Sequence, residues 1–472
     1  MTDATRQQQA GVGSKPKERR RLVIGALLLL MITIGYIDRI NVSAAGPLVK
    51  QDLGLSDGQL GILYSAFFWG YAALMVPGGW LIDRVGKHVV LPLAVLAWSL
   101  VAALSALAQN LTVLLGFRVV LGATESPAYP SGNLVIREWA PLTERGLFTS
   151  LMQIGSLVGP ALATAPAAWL ASTVGWRWAF VFLSATGLVW LVAWMLLYRP
   201  PERVRWLTER ERAYILAERD HTTPGRQPGA PVSQISVPVS VPVSVPVSVP
   251  VSVPVSVPMS VPTLIRQRSM LGILAANGAQ TYVVYFLLTW LPTYLVTAKH
   301  LQLPRSGLIT SSMYGIAIVG AVLLGWLSDR FLSLRKEQAL RGRRRFVIAV
   351  LMLAGLLPLV LTTWIDGLAM LVITIAITLM AVTTSITLTF ALTNDLIIDN
   401  ASSGRTFGLV SFGGQVIGLL APIVTGFVVQ ASGFGPVFLV TGAVLLAGVL
   451  AMLLLPNRPL QPQAGQPSAV PA

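Results

Sequence analysis

The sequence predicts an all-α membrane protein: twelve transmembrane helices arranged as two pseudo-symmetric six-helix bundles. Three observations predict it. Charged residues make up only 11% of the 472 residues and apolar residues 54%. Soluble chains carry about 25% charge, so the polar coat that two or three soluble domains would need is missing. The apolar residues gather in runs of about 20, the length of helix that crosses a bilayer. The two halves also echo each other. Gly79-Trp80-Leu81-Ile82-Asp83-Arg84 and Gly325-Trp326-Leu327-Ser328-Asp329-Arg330 each close the second of six spans. Related halves of this kind place a binding site near midplane, at the interface between them.

The elements follow in order. A polar tail, 1–21, ends in Arg19-Arg20-Arg21. It leads into a long helix without the short apolar core and small-residue cleavage site of a signal peptide, so the first span is expected to stay uncleaved. The first bundle, 22–198, holds apolar segments at 22–45, 59–82, 88–108, 111–134, 147–171 and 178–198. A cytoplasmic linker, 199–268, contains one charged helical stretch at about 202–220. It also carries a Ser-Val-Pro repeat, seven copies over 236–262. That repeat is apolar enough to resemble a span, but a proline every fourth residue removes helix donors and clashes with the preceding turn. An extended, polyproline-like spacer is expected there. The second bundle, 269–455, holds segments at 269–297, 307–331, 346–364, 367–392, 405–429 and 434–455, and 456–472 is a second tail.

The basic residues set the expected orientation. With the N-terminus placed in the cytoplasm, 28 of the 34 Lys and Arg fall on the cytoplasmic side. Four (Lys50, Arg177, Lys299 and Arg305) fall on the other, and Arg39 and Arg118 lie inside spans. The positive-inside bias produces such an asymmetry. The net charge of +15 is therefore read as a topology device and not as a nucleic-acid surface. An inner (plasma) membrane protein with both termini cytoplasmic is expected, working as a monomer in the lipid bilayer.

Several chemistries are excluded. No cysteine is present, so disulfides, thiol catalysis and cysteine metal sites are absent. The three histidines, His88, His221 and His300, are scattered, which argues against a metal cluster. No glycine loop ending in Lys-Ser or Lys-Thr is present to cradle a phosphate, which removes ATP-driven transport. An enzyme is not expected, nor any cofactor beyond a coupling proton.

Four charged residues inside apolar helices carry the functional expectation: Asp38, Arg39, Arg118 and Glu125. A charge at the centre of a membrane helix costs about 2.5–3.5 kcal/mol on insertion scales, so each needs a partner or a wet cavity. Asp38 lies about 24 Å along span 1 from its start. Arg118 and Glu125 are seven residues apart and share one face of span 4. Asp38 and Arg39 lead two neighbouring faces of span 1. An arginine keeps its proton, and its fork matches a carboxylate, so Arg39 and Arg118 are candidate anchors for an anionic substrate. Burial favours the protonated form of a carboxyl and a nearby arginine favours the charged form. Asp38 and Glu125 are placed to feel both, which suits proton coupling. The structural alternative is a neutral ion-pair network of Asp38, Arg118 and Glu125.

Gly79-x3-Asp83-Arg84-x-Gly86-Lys87, with its degenerate copy at 325–330, resembles the cytoplasmic loop signature of the major facilitator superfamily. Tyr36-Ile37-Asp38-Arg39-x-Asn41-Val42-Ser43 and Arg118-x3-Gly122-x2-Glu125-x-Pro127-x2-Pro130 resemble its anion:cation symporter family. Trp139-x-Pro141-x2-Glu144-Arg145-Gly146, Gly175-Trp176-Arg177 and Thr289-Trp290-Leu291-Pro292-x-Tyr294-Leu295 add to this resemblance, which covers about 20–220 and 265–455. It is strongest to bacterial permeases for sugar acids such as galactonate, glucarate and hexuronates. It implies the major facilitator fold, arginines on the substrate anion and acidic residues on the coupling protons. It places Tyr36, Tyr71 and Asn277 on positions that line the sugar-acid site. Ser411 stands where sugar-acid permeases carry an asparagine in span 11. Ser156, with Gln153 one turn earlier, stands where some carry a glutamine in span 5. Asp83, Arg84, Asp329 and Arg330 are expected to act as gate charges at helix ends.

The expectation is a secondary transporter that imports a small organic anion by proton symport with alternating access. Two other readings stay open. Gly146-x8-Gly155-x3-Gly159-Pro160 resembles the span 5 signature of antiporters, though Ala163 and Thr164 replace its closing glycines. An exchanger or efflux antiporter would carry such a motif, and close helix packing is the plain alternative. A non-transporting membrane sensor is the reading from another class.

Overall fold

Each of the twelve apolar runs forms a helix long and apolar enough to cross a membrane. The computed structural model describes residues 18–220, 259–333, 344–397, 403–456 and 460, without the side chains of 220, 325–333 and 403. In the first half the spans are Leu22–Ala44, Asp57–Val85, Lys87–Leu107, Leu111–Trp139, Leu142–Val174 and Trp176–Leu197. In the second they are Arg268–Thr297, Leu303–Leu324, Arg344–Trp364, Leu368–Leu396, Gly404–Ser432 and Gly435–Leu454. The helix of span 8 continues to Ser333. The expected segments fall on these helices. The differences lie at ends such as that of span 4, where the polar turn Arg137-Glu138-Trp139 stays helical beyond the apolar run.

Within the first half, span 1 packs along span 5 and span 2 along span 4. Glycines permit the closest approaches. A Cβ on Gly155 or Gly159 of span 5 would run into the span 1 backbone at Leu29 and Thr33. Gly155 and Gly159 of the antiporter-like signature thus form a packing seam between these two helices, while Gly146 meets nothing across it.

The halves meet through span 2 on span 11, span 5 on span 8 and span 1 on span 7. The first two contacts exchange under the two-fold relation between the halves. Their hydrogen bonds lie toward the end that carries the loops 45–56 and 298–302. Ser43 Oγ donates to the carbonyls of Leu288 (2.9 Å) and Thr289 (2.6 Å). The Tyr64 and Thr293 hydroxyls are 2.9 Å apart, and the Gly58 amide donates to Gln430 Oε1 at 3.0 Å. The Ala165 amide donates to Ser311 Oγ at 3.0 Å. Gly61 and Gly426 let spans 2 and 11 touch backbone to backbone, since a Cβ on either would meet the other helix's main chain. Among the described residues no hydrogen bond or ion pair joins the halves at the opposite, basic end. The described contacts thus close the bundle at the end opposite the basic one.

At the basic end, the helix Glu209–Asp220 lies under the first half. Its Glu211 and the loop residue Glu144 both take Arg21. Arg21 Nε and Nη2 donate to Glu144 at 2.6 and 2.8 Å, and Nη1 donates to Glu211 at 2.7 Å. All three are buried. These carboxylates, Glu144 first, push the Arg21 guanidinium further up from its ordinary range. Trp139 stacks on Trp206 above them at 5.6 Å. The expected helical stretch at 202–220 is helical from Glu209; a 3-10 turn, Pro201–Arg203, and a non-helical stretch, 204–208, precede it. Most of the Ser-Val-Pro repeat lies outside the described residues. Its last copy departs from the extended expectation. Ser260 caps a short helix, Val261–Ile265, and Pro262 sits in its first turn, where no helical donor is needed.

Candidate functional site

Span 4 is two helices, Leu111–Glu125 and Ala128–Trp139. Pro127 has no N–H for the carbonyl of Ala123, and its ring crowds the turn before it. The Ser126 hydroxyl supplies the missing donor, 2.9 Å from Ala123 O and 3.1 Å from Leu74 O of span 2. Glu125 is the last residue before this break. Its carboxylate faces span 1, and Gly35 makes the room: a Cβ there would come within 3.2 Å of Glu125 Oε2.

Glu125 meets Arg39. Its Oε2 accepts Arg39 Nε at 2.9 Å and Nη2 at 2.8 Å. Both side chains are buried, at 2% and 7% exposure. The guanidinium is also boxed by rings. Its carbon lies 4.5 Å from the Tyr36 centroid, 4.5 Å from Phe67 and 4.9 Å from Tyr71. Ring faces of this kind attract a cation and exclude water. The pair is therefore a charge-assisted contact in a buried setting, where breaking it leaves two strong groups uncompensated. Glu125 Oε1 is buried without a hydrogen-bond partner.

Arg118 does something different. Nη1 and Nη2 donate to the backbone carbonyls of Asp38 (3.2 Å) and Arg39 (3.3 Å). It clips span 1 to span 4 at the charged turn. Among the described residues no ion pair joins Asp38 to Arg118, so the alternative network of Asp38, Arg118 and Glu125 is replaced by an Arg39–Glu125 pair. Asp38 is 2% exposed, and neither of its carboxyl oxygens has a hydrogen-bond partner.

The second half presents a polar face of its own. Tyr285 of span 7 stacks on Phe68 of span 2, centroids 3.9 Å apart, and its hydroxyl donates to Gln415 of span 11. Asn277 donates to Val410 O at 3.0 Å, next to Ser411, and its Oδ1 is left unpartnered. Gln280 reaches Thr389 at 3.2 Å. Tyr36, Arg39, Tyr71 and Glu125 thus form one cluster, and Asn277 and Ser411 lie across from them on spans 7 and 11. Asp83 and Arg84 are at the basic end, both exposed, with Arg84 over the Trp80 ring. Asp329 and Arg330 lie among the side chains outside the described residues. Phe67, Trp98 and Tyr129 border the cluster and were not singled out from the sequence. Helical spacing could have found two of them: Phe67 is four residues before Tyr71, and Tyr129 four after Glu125.

Twelve spans in two related halves, with buried ionisable groups where the halves face each other, define a polytopic membrane transporter. A model of the Major Facilitator Superfamily matches residues 27–403 and 339–470, and the chain belongs to that superfamily. It is 28% identical to a D-galactonate transporter of Escherichia coli, over 94% of this chain and 96% of that one. It is 27% identical to a probable sulfoacetate transporter of Cupriavidus necator, over 93% and 95%. It is 26% identical to a hexuronate transporter of Bacillus subtilis, over 96% and 97%. The expected resemblance to sugar-acid permeases is borne out by these names. Two solved structures share the fold. One is a bacterial homolog of the human lysosomal transporter Spinster, with a TM-score of 0.69 and 18% identity over 94% of this chain and 97% of that one. The other is a D-xylose-proton symporter, with a TM-score of 0.68 and 14% identity over 92% and 98%.

Proposed function

We propose that the protein imports a small organic anion, a sugar acid or related carboxylate, by proton symport with alternating access. The observation that carries the proposal is the buried Arg39–Glu125 pair inside a box of Tyr36, Phe67 and Tyr71. Arg39 has one fork. While Glu125 is charged, the fork belongs to Glu125. A proton on Glu125 removes that competitor, and the guanidinium is then free for the carboxylate of a substrate. The names of the relatives support the substrate class: galactonate, hexuronate and sulfoacetate are all anions.

Asp38 is the second proton carrier in this scheme. A buried carboxylate without donors costs several kcal/mol, and a bound proton removes that cost. Arg118 holds span 1 in register and keeps the positive charge of the site when Arg39 turns to the substrate. Tyr36, Tyr71, Asn277 and Ser411 supply the hydroxyl-reading groups. Symport of more positive charge than the anion carries adds a voltage drive of roughly 2.3 kcal/mol per charge per 100 mV.

The basic end is taken as cytoplasmic, which puts both termini in the cytoplasm and the protein, as a monomer, in the inner membrane. The closed end then faces outward, as it would in an inward-facing conformer. In the opposite conformer Asp83 and Arg84, with Asp329 and Arg330, latch the basic ends of the two halves.

The test is a thermal-shift screen of sugar acids and aromatic acids on purified protein. Uptake of the stabilising acid into proteoliposomes follows, under an imposed pH gradient, with and without internal substrate. Symport predicts uptake that follows the gradient with empty vesicles. Uptake that ignores the gradient and requires internal substrate would make the protein an exchanger.

A further inference from the structure

The Arg39–Glu125 pair borders a small pocket, lined by Met31, Tyr36, Arg39, Trp98, Glu125 and Tyr129, among others, with room for about one water molecule. Two of its lining residues carry buried polar atoms without partners. One is Glu125 Oε1, the oxygen that Arg39 does not take. The other is the indole Nε1–H of Trp98, a residue only 1% exposed. An orphan acceptor and an orphan donor on one water-sized pocket are complementary. Buried tryptophan N–H groups normally find an acceptor, and Glu125 Oε1 is an acceptor that Arg39 leaves open.

We propose that this pocket binds one water molecule, which accepts from Trp98 Nε1–H and donates to Glu125 Oε1, and that Trp98 thereby positions the proton-accepting oxygen of Glu125. The inference rests on the coupling role proposed for Glu125. It divides the carboxylate between two jobs. Oε2 faces the substrate arginine. Oε1 faces the water, so the oxygen that takes the proton is not the one that holds the arginine. The other ionisable groups facing Glu125 are Asp38, Arg39 and Tyr36 from span 1, Tyr71 from span 2, and Arg118 and Tyr129 from its own span. None of them is altered in the test.

Trp98→Phe keeps an aromatic ring of similar shape and removes the donor. Ala128→Val adds bulk to another residue that lines the same pocket. A donor held on the charged carboxylate favours the charged form, so losing it makes protonation easier. The expected result is that the pH of half-maximal proton-driven uptake rises by about half a pH unit in both variants. A helix-packing role for Trp98 would lower the rate without moving that midpoint. A midpoint equal to the wild type's in both folded variants overturns the water site. Wild-type uptake without any pH dependence overturns the coupling role itself, and the water site with it.

Discussion

Glu125 gives a single oxygen to Arg39: Oε2 accepts both Nε (2.9 Å) and Nη2 (2.8 Å), and Oε1 has no partner among the described residues. Both donations thus depend on a single oxygen, and the state of that carboxyl decides whether the guanidinium is engaged or free.

Arg39→Lys keeps the charge and loses the fork. A lysine cannot make two parallel bonds to a carboxylate and sits less well among the rings of Tyr36, Phe67 and Tyr71. Substrate affinity is expected to fall about 100-fold, or roughly 3 kcal/mol. Ligand titration on purified protein checks this. Wild-type affinity in the variant would remove Arg39 from the anion site.

Asp38→Asn should separate stability from coupling. If Asp38 carries a proton in this conformer, a neutral amide of the same shape is tolerated, and unfolding free energy changes by about 1 kcal/mol or less. Proton-driven uptake should be lost. A stable variant that still accumulates substrate against a pH gradient would show that Asp38 carries no coupling proton.

Gly61→Val tests the closed end. Its side chain would press on Pro422 and Gly426 across the interface between the halves. The chain contains no cysteine, so a single Thr293→Cys, placed where Tyr64 bonds across the halves, is a clean reporter. Its labelling by a water-soluble maleimide should rise at least tenfold in the Gly61→Val background. Unchanged labelling would mean that this seam is not what closes the end.

Arg21→Ala should release the linker helix. It leaves Glu144 and Glu211 buried without the charge they share, a loss of about 3–5 kcal/mol. Trypsin is expected to cut within 203–219 several-fold faster than in the wild type. Equal protection would show that the stack of Trp139 on Trp206 holds the segment by itself.

The fold was legible because span length, charge asymmetry and the repeated Gly-Trp-Leu-x-Asp-Arg turn are all one-dimensional signals. So was the set of four charges, since each stands out against apolar neighbours. Their pairing was not. Asp38 and Arg39 are adjacent in sequence and differ by about 100° around the helix. Which of the two faces Glu125 depends on how span 1 is rotated against span 4, and glycines set that rotation: Gly35 under the carboxylate, Gly155 and Gly159 behind the helix. Arg118 is expected as a substrate anchor because arginine forks match carboxylates; that it also donates to two backbone carbonyls of span 1 could not be foreseen, since a sequence does not display such acceptors. Trp98 was invisible for a related reason, since a tryptophan in an apolar run looks like core until its N–H is seen to lack a partner.

Glu125→Gln is the most direct test. Glutamine keeps the shape and cannot carry the proton, so the arginine is permanently relieved of its charged competitor. Proteoliposomes bearing the variant are expected to lose net uptake driven by a pH gradient and to retain counterflow of labelled substrate against internal substrate. Net proton-driven uptake at the wild-type rate would contradict the account, because the carboxyl that controls Arg39 would then have no part in coupling.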